Sequence, residues 1–249
     1  MQISIITVVL NGASTIESCL RSVIDQDYSD IEHIIIDGSS TDGTLDIVNK
    51  WSSRVSKIVS EPDKCLCDAM NKGIKLASGD IVGILNSDDF YVDNNIISNV
   101  ASVFENPSVD SCYGDLLYVN RNDTDRVIRY WKSRPYHDKL FYWGWMPAHP
   151  TFFVRRKIYE EYGMLNLDLG TAADYELMLR LLLRHGISAE YIPKVLVKMR
   201  VGGKSNASNK DRFFANLNDR KAWKINNLKP KPWTLFLKPI SKILQYITR

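Results

Sequence analysis

The segment Leu85-Asn86-Ser87-Asp88-Asp89 sets two adjacent carboxylates directly after the apolar run Ile81-Val82-Gly83-Ile84-Leu85. Hard carboxylate oxygens at the carboxyl end of a buried strand suit Mg2+ or Mn2+, ions that usually arrive shared with a phosphate-bearing ligand. The same residues also suit an acidic turn, because Asn, Ser and Asp are favoured turn formers. Three earlier apolar runs end in polar residues too: Thr7 and Asn11 on the first, Asp37 to Ser40 after the second, and Ser60 to Lys64 after the third. If the four runs are parallel strands of one sheet, their carboxyl ends face one way and these groups converge. A shared pocket then explains them better than four independent turns.

The elements needed to position those groups are legible in the hydrophobic pattern. Ile3 to Leu10, Ile31 to Ile36, Lys57 to Val59 and Ile81 to Leu85 read as short β-branched strands. Between them, Ile16, Leu20, Val23 and Ile24 keep helical spacing behind a Ser14–Glu17 capping box, and Leu45, Val48 and Trp51 form a second helix capped by Thr41 or Asp42. Leu66, Met70, Ile74 and Ala77 make a third helix that stops at Ser78-Gly79, and Ile96 to Phe104 a fourth. Strand–helix alternation with short connections predicts an α/β fold with a mostly parallel sheet covered by helices on both faces. After residue 110 the rhythm changes. Strands are expected at 111–119, 126–130, 151–154 and 192–200, with a Leu-rich helix from Asp174 to His185 and an irregular aromatic segment around Gly144 and Pro147.

Composition excludes several classes. With 249 residues, 45% hydrophobic and 24% charged, the chain matches a soluble globular protein. No run approaches the ~18–20 apolar residues of a membrane span. The start reads as a core strand, not a signal peptide. Four scattered cysteines argue against a disulfide framework, and Cys65-Leu66-Cys67 lacks the second ligand pair of a structural zinc site. The first strand–helix turn, Asn11-Gly12-Ala13-Ser14-Thr15, supplies neither G-x-G-x-x-G nor a P-loop ending. Hydride transfer with a nicotinamide cofactor and P-loop NTP hydrolysis therefore drop out.

In combination these stretches resemble family 2 glycosyltransferases of the GT-A, nucleotide-diphospho-sugar transferase fold, and in particular bacterial enzymes that build surface polysaccharides. The resemblance rests on Ser4 to Asn11, Ile36 to Thr44, Glu61-Pro62-Asp63-Lys64, Asp68 to Gly73, Leu85 to Asp89 and Ala173-Asp174-Tyr175-Glu176. It implies a nucleotide sugar donor, in which Asp37 accepts a hydrogen bond from the base and Thr7, Val9, Asn11 and Ser39 shape the same pocket. Lys64 and Asp68 would lie beside the ribose and diphosphate. Asn86-Ser87-Asp88 occupies the D-x-D place, so Asp88 and Asp89 become the expected ligands of Mn2+ or Mg2+. Asp174 aligns with the catalytic base, while His149, Trp145 and Glu176 fall on the acceptor side. One departure stands out: Asn86 brings no charge where relatives carry an acid. Cys65 and Cys67 also replace a glycine and an aromatic at the lip of the pocket, with no role evident.

The resemblance further implies a catalytic domain over 1–205, with a donor half at 1–109 and an acceptor half at 110–205, and a basic helical extension over 206–249. The chemistry would be inverting transfer of one sugar from a nucleotide-diphosphate sugar, expected to be a UDP-sugar, to a lipid-linked or oligosaccharide acceptor in capsule, O-antigen or exopolysaccharide synthesis. Lys221 to Arg249 holds seven basic and no acidic residues, so within a chain of net charge +3 the first 220 residues carry −4. Large apolar residues alternate with those lysines from Trp233 onward, a pattern suited to an anionic membrane interface. Peripheral contact through 228–249, on the cytoplasmic face of the membrane, is the resulting expectation, against the alternative that the aromatics pack back on the domain. One short basic patch without a recognisable binding fold does not suit nucleic acid. A sugar nucleotidyltransferase would need a Gly-rich basic loop after the first strand, which is absent. A catalytically inactive sugar-nucleotide-binding relative is disfavoured by intact Asp88 and Asp174.

Overall fold

The computed structural model describes residues 1–202 and 209–244. Its first half follows the expected alternation. Strand β1 (Ile3–Val9) lies between β2 (Ile31–Asp37) and β4 (Ile81–Ile84), and β3 (Lys57–Ser60) extends the sheet beyond β2, all pairing in parallel. Every side chain of β1 and β4 is buried, because helices cover both faces of a parallel sheet. Those helices are α1 (Ile16–Ile24), α2 (Thr44–Lys50) and α3 (Leu66–Leu76). The chain runs one way from β1 to β2 and the other way from β1 to β4. That reversal opens a crevice at the carboxyl ends of these strands, where α/β sheets bind their ligands.

The helix starts differ from expectation. Helix α1 begins at a Thr15 cap without a side-chain bond, and Glu17 pairs with Arg21 one turn on, so the Ser14 capping box does not form. Helix α2 starts after Gly43 in the left-handed conformation, and Asp42 accepts a hydrogen bond from the Thr44 amide. The β1–α1 turn is held by α2's entry loop, with the amides of Asn11, Gly12 and Ala13 donating to Ser40 Oγ, Thr44 Oγ1 and Asp42 Oδ2. Asp42 thus serves both the start of its own helix and the lock between the two loops.

Antiparallel strands build the second half. The sheet order is β3-β2-β1-β4-β8-β6-β9-β5, with β7 also on β6. Here β5 is Asp89–Tyr91, β6 Ser111–Val119, β7 Val127–Trp131, β8 Phe153–Arg155 and β9 Ala189–Arg200. Helix α4 (Ile96–Phe104) follows β5, and α5 (Lys139–Tyr142) stops before Gly144, whose φ is +74°. Helix α6 (Arg156–Tyr162) precedes α7 (Ala173–Met178), which continues through residues 179–184 in a wider turn closed by the His185 amide on the Arg180 carbonyl. One contiguous apolar core runs through both halves, from Ile3 and Ile81 to Phe153, Leu179 and Leu196.

Helices α8 (Asn209–Ile225) and α9 (Thr234–Leu244) pack on the second half. Trp223 is fully buried and donates through Nε1 to the Tyr175 hydroxyl at 2.8 Å. The alternative of a tail packing back on the domain is met in part. Leu235 and Thr234 are buried, Thr234 Oγ1 donates to the Tyr142 carbonyl, and Lys238 pairs with Asp219 at 2.7 Å beneath the Tyr175 ring. A Cβ at Gly144 would lie 2.5 Å from the Lys238 amide nitrogen, so glycine is what lets α9 seat this closely.

Candidate active site

Strand β2 delivers Asp37 to the crevice. Its Oδ2 accepts from the Ser40 amide at 3.0 Å and Ser60 Oγ at 2.7 Å, while Oδ1 is buried without a partner. Asp37 is fully buried, so this oxygen is an unpaired acceptor beneath the surface of the crevice. Beside it, Asn11 and Ser39 both take positive φ, at 53° and 66°, and Asn11 Oδ1 accepts from the Thr41 amide. Asp68, in the first turn of α3, accepts from the backbone amide of Lys64 at 3.1 Å and leaves the exposed Lys64 ammonium unengaged by it. Lys72 bridges Glu61 and Asp63 at 2.8 and 2.7 Å, fixing the loop that carries Lys64.

Two residues expected in this pocket do not line it. Thr7 is fully buried in mid-strand, 3.0 Å from His33 Nε2 and 3.8 Å from Cys19 Sγ. Val9 packs its side chain with Ile16, Leu20, Ile35 and Val48, and its carbonyl accepts from Gly38. Strand alternation turns both side chains away from the crevice into the sheet faces.

The Asn86–Asp89 segment divides in the same way. Leu85 and Ser87 continue pairing with β1 through the Ile6 and Val8 carbonyls, and Gly12 lets the β1–α1 turn close onto Ser87. Asp88 keeps 26% of its side chain exposed, with Oδ2 4.0 Å from Arg121 Nη1 on the β6–β7 connection. Asp89, by contrast, begins β5 opposite Met199 and is fully buried. Burial pushes its carboxyl well above the usual carboxylate range, with the Asp88 charge adding to the shift. Asp89 is therefore not an accessible metal ligand, and that expectation is corrected. Arg200, at the end of β9, donates to the Asp88 carbonyl at 2.9 Å and to Ser18 Oγ at 3.0 Å, with its guanidinium 4.6 Å above the Phe90 ring.

Among the described residues no three His, Cys, Asp or Glu side chains gather as a metal cage. The accessible donor is the Asp88 carboxylate, with the Asn86 amide beside it; Asn86 Oδ1, like Asp89 Oδ1, is buried and has no partner. That set fits Mg2+ or Mn2+ held by one carboxylate together with a ligand's phosphates, the usual arrangement for these ions at phosphate sites.

Asp174 and His149 meet from segments 25 residues apart. Asp174 Oδ1 accepts from the Tyr175 amide, while Oδ2 lies 3.8 Å from His149 Nδ1 and a third of the side chain stays exposed. Burial lowers the His149 pKa against the pull of Asp174, which favours the neutral imidazole. Behind them a small cavity of about 20 Å³ reaches Met70 of α3 and Ile84 of β4, so both groups stand at the carboxyl end of the strand that leads into Asn86. Asn71 ties the halves together: its side-chain amide donates to the Leu165 carbonyl at 2.8 Å and its Oδ1 accepts from the Leu165 amide at 3.0 Å. Cys67 donates to the Gly170 carbonyl, and burial, with the neighbouring Cys65 and Asp174, pushes its thiol up to about 12. It is a packing residue beside Asp174.

The other two acceptor-side expectations are corrected. Glu176 is 2% exposed and forms a two-pronged ion pair with Arg180, at 2.9 and 3.2 Å, supplemented by Asn226. Trp145 is buried among Tyr113, Tyr136 and Phe141. Sequence reasoning also missed Arg121, Arg200 and Asn71. A basic residue at or just beyond a predicted strand end, Arg200 closing the last strand and Arg121 two places after 111–119, was the available signal for the two arginines.

Comparison with known proteins agrees with this architecture. Residues 4–163 match the model of the family described as glycosyl transferase family 2. A PGL/p-HBAD biosynthesis glycosyltransferase of Mycobacterium tuberculosis is 29% identical over 226 residues, which cover 86% of this chain and 83% of that protein. The Escherichia coli UDP-Glc:alpha-D-GlcNAc-diphosphoundecaprenol beta-1,3-glucosyltransferase WfaP is 33% identical over 211 residues, 84% of this chain and 80% of its own. Among solved structures, Staphylococcus aureus TarS in complex with UDP-GlcNAc superposes with a TM-score of 0.69 at 17% identity, covering 95% of this chain and 69% of that one. The mannosyltransferase PcManGT from Pyrobaculum calidifontis, in complex with GDP-Man and Mn2+, gives 0.66 at 21% identity, covering 95% and 68%. These structural likenesses establish the shared GT-A fold.

Proposed function

The chain belongs to glycosyl transferase family 2, and we propose that it moves one sugar, with inversion, from a UDP-sugar to a hydroxyl of a lipid-linked oligosaccharide in bacterial surface-polysaccharide synthesis. The observation that carries this reading is the meeting of Asp174 and His149 at a cavity shared with Ile84, the last residue of β4 and two places before Asn86. In this division residues 1–109 take the donor, 110–205 present the acceptor, and 206–249 form the extension. The lipid-linked acceptor is suggested by WfaP, whose name specifies a diphosphoundecaprenol acceptor. A cytoplasmic, peripheral position at the membrane follows from that acceptor.

Asp37, once its buried Oδ1 is uncovered, would accept an N–H from the base, such as the imide of uracil. Asn11 and Ser39 would shape the same pocket, and Lys64 and Asp68 would lie beside the ribose and diphosphate. Asp88, aided by Asn86, would hold Mn2+ or Mg2+, which when bound supplies charge stabilisation to the departing diphosphate. Arg121, 42% exposed and 4.0 Å from Asp88, would offer a guanidinium to the same phosphates. On the other side, Asp174 Oδ2 takes the acceptor's hydroxyl proton as that oxygen attacks the anomeric carbon. The bond to the diphosphate breaks, and its electron pair leaves with UDP. His149, with Nδ1 3.8 Å from Asp174 Oδ2, would line the approach of the acceptor hydroxyl.

Replacing Asp174 by Asn should abolish sugar transfer and leave UDP binding, measured by calorimetry, near normal. Retained turnover would remove Asp174 as the base.

A further inference from the structure

Three of the most exposed large side chains lie on α5 and α9. Trp143 is 58% exposed, Trp233 44% and Phe236 70%. Trp143 closes α5 in the catalytic body, whereas Trp233 and Phe236 belong to the C-terminal extension, yet the two indoles lie 6.0 Å apart at 35°. Along α9 the spacing is regular: Trp233, Phe236 and Pro239 are exposed at intervals of three, while Thr234, Leu235 and Lys238 face the domain. The helix therefore spends one face on the protein and leaves an aromatic stripe outside, joined to a tryptophan from another element.

Scattered exposed apolar residues are ordinary, but a contiguous aromatic patch marks an interaction surface. Its charge surroundings select the partner. From Arg220 to Pro239 the sequence has six basic residues and no acidic one; Lys238 is spent on Asp219 against the domain, while Lys229 and Lys231 beside Trp233 are exposed. Tryptophan with flanking lysine is the composition that settles at the headgroup level of anionic membranes. No helix among the described residues is long and apolar enough to cross a bilayer. A surface that lies on the membrane meets both conditions.

We propose that Trp143, Trp233 and Phe236 form one composite docking face for the interface of an anionic lipid bilayer. The proposal rests on the lipid-linked acceptor reading and gives it a physical location, which is not the extension alone but the seam between α5 and α9. The seam is mechanically close to the proposed base. Thr234 Oγ1 donates to the Tyr142 carbonyl, the Tyr142 ring packs on Trp223 at 5.2 Å, and Trp223 Nε1 donates to the hydroxyl of Tyr175, the residue after Asp174.

The test is sedimentation of the full chain with vesicles of equal parts phosphatidylglycerol and phosphatidylcholine, and with phosphatidylcholine alone. The wild type should bind the anionic vesicles with a blue shift of tryptophan emission, and added salt should weaken binding. The variant Trp143→Ser/Trp233→Ser/Phe236→Ser should lose about tenfold or more in vesicle affinity while keeping UDP binding and its melting temperature. Should the triple variant melt early, Lys229→Glu/Lys231→Glu, confined to exposed charges, should show the same loss. Unchanged vesicle binding by a folded variant would overturn the proposal. So would wild-type indifference to anionic vesicles, or a dimer in sedimentation velocity that the triple substitution dissolves. Failure of the wild type to bind UDP would strike the donor reading instead, leaving the vesicle result to stand on its own.

Discussion

Glu176 offers the sharpest separation of catalytic from structural roles, because it sits two residues from Asp174 in the same acidic motif. Its carboxylate holds Arg180 through two contacts, at 2.9 and 3.2 Å, and accepts from Asn226, the residue after α8, at 2.9 Å. Arg180 in turn donates to the carbonyls of Tyr162, Gly163 and Met164, so this one pair joins α6, α7 and α8. Removing one partner of a buried ion pair costs about 3–5 kcal/mol, since the other charge is left uncompensated. The cost for Glu176→Ala should be less, about 2–3 kcal/mol, because Arg180 keeps three carbonyl acceptors. A neighbouring open cavity of about 320 Å³, lined by Arg180, Asn166 and Asn226, also lets water reach it. At ~2–4 °C per kcal/mol for a chain of this size, the melting temperature should fall by roughly 5–10 °C. Transfer assayed well below that midpoint should stay within about twofold of wild type, as expected for a residue that touches no substrate. Calorimetric melting together with steady-state kinetics on the same preparation reads both numbers. An unchanged melting temperature with a collapsed kcat would refute the structural assignment and return Glu176 to the acceptor site.

The remaining predictions concern acid stability and the diphosphate end of the site. Burial pushes the His33 imidazole down to about 3, so between there and the unfolded value near 6.5 only the unfolded chain binds the proton. Stability should therefore fall as pH drops from about 6.5 towards 3, and His33→Gln should flatten that slope in urea titrations across this window. An unaltered slope would mean that His33 is protonated in the fold. Burial also opposes ionisation of Glu32, but hydrogen bonds from Lys57, Ser4 and Ser78 outweigh it and bring the carboxyl to about 2. Its contribution should persist above about 4.3 and vanish as pH falls towards 2, a second decline that Glu32→Gln should remove. Arg121→Ala should weaken UDP binding by about tenfold in the presence of a chelator and by less when Mn2+ is supplied. Calorimetry showing equal loss in both conditions would separate Arg121 from the phosphates.

What the sequence disclosed and what it concealed divide along a physical line. Strands β1, β2 and β4 and helix α3 were legible because each is locally determined, by a β-branched run or by helical spacing ended at Ser78-Gly79. Asp37 was legible for the same reason, standing at the end of a strand buried from Glu32 onward. Two of the corrections needed only stricter geometry. Thr7 lies inside β1, where alternation can turn a side chain into the sheet face, and Glu176 lies two places from Asp174, a separation that does not share a helix face. Asp89 is of another kind. The sequence suggests an acidic turn after β4, but the chain enters β5 at once, and β5 exists because β9 lies alongside it 110 residues later, with Asp89 opposite Met199. That long-range pairing buries one carboxylate of the Asp88–Asp89 pair and brings Arg200 onto the carbonyl of the other. No local pattern near residue 89 encodes it. The charge at the diphosphate end is thus set by strand order as much as by motif: one accessible carboxylate faces Arg121, beside an uncharged Asn86. A site with that balance should depend less steeply on divalent ion than one with two accessible acids, which is why the chelator arm of the Arg121 experiment is its decisive half.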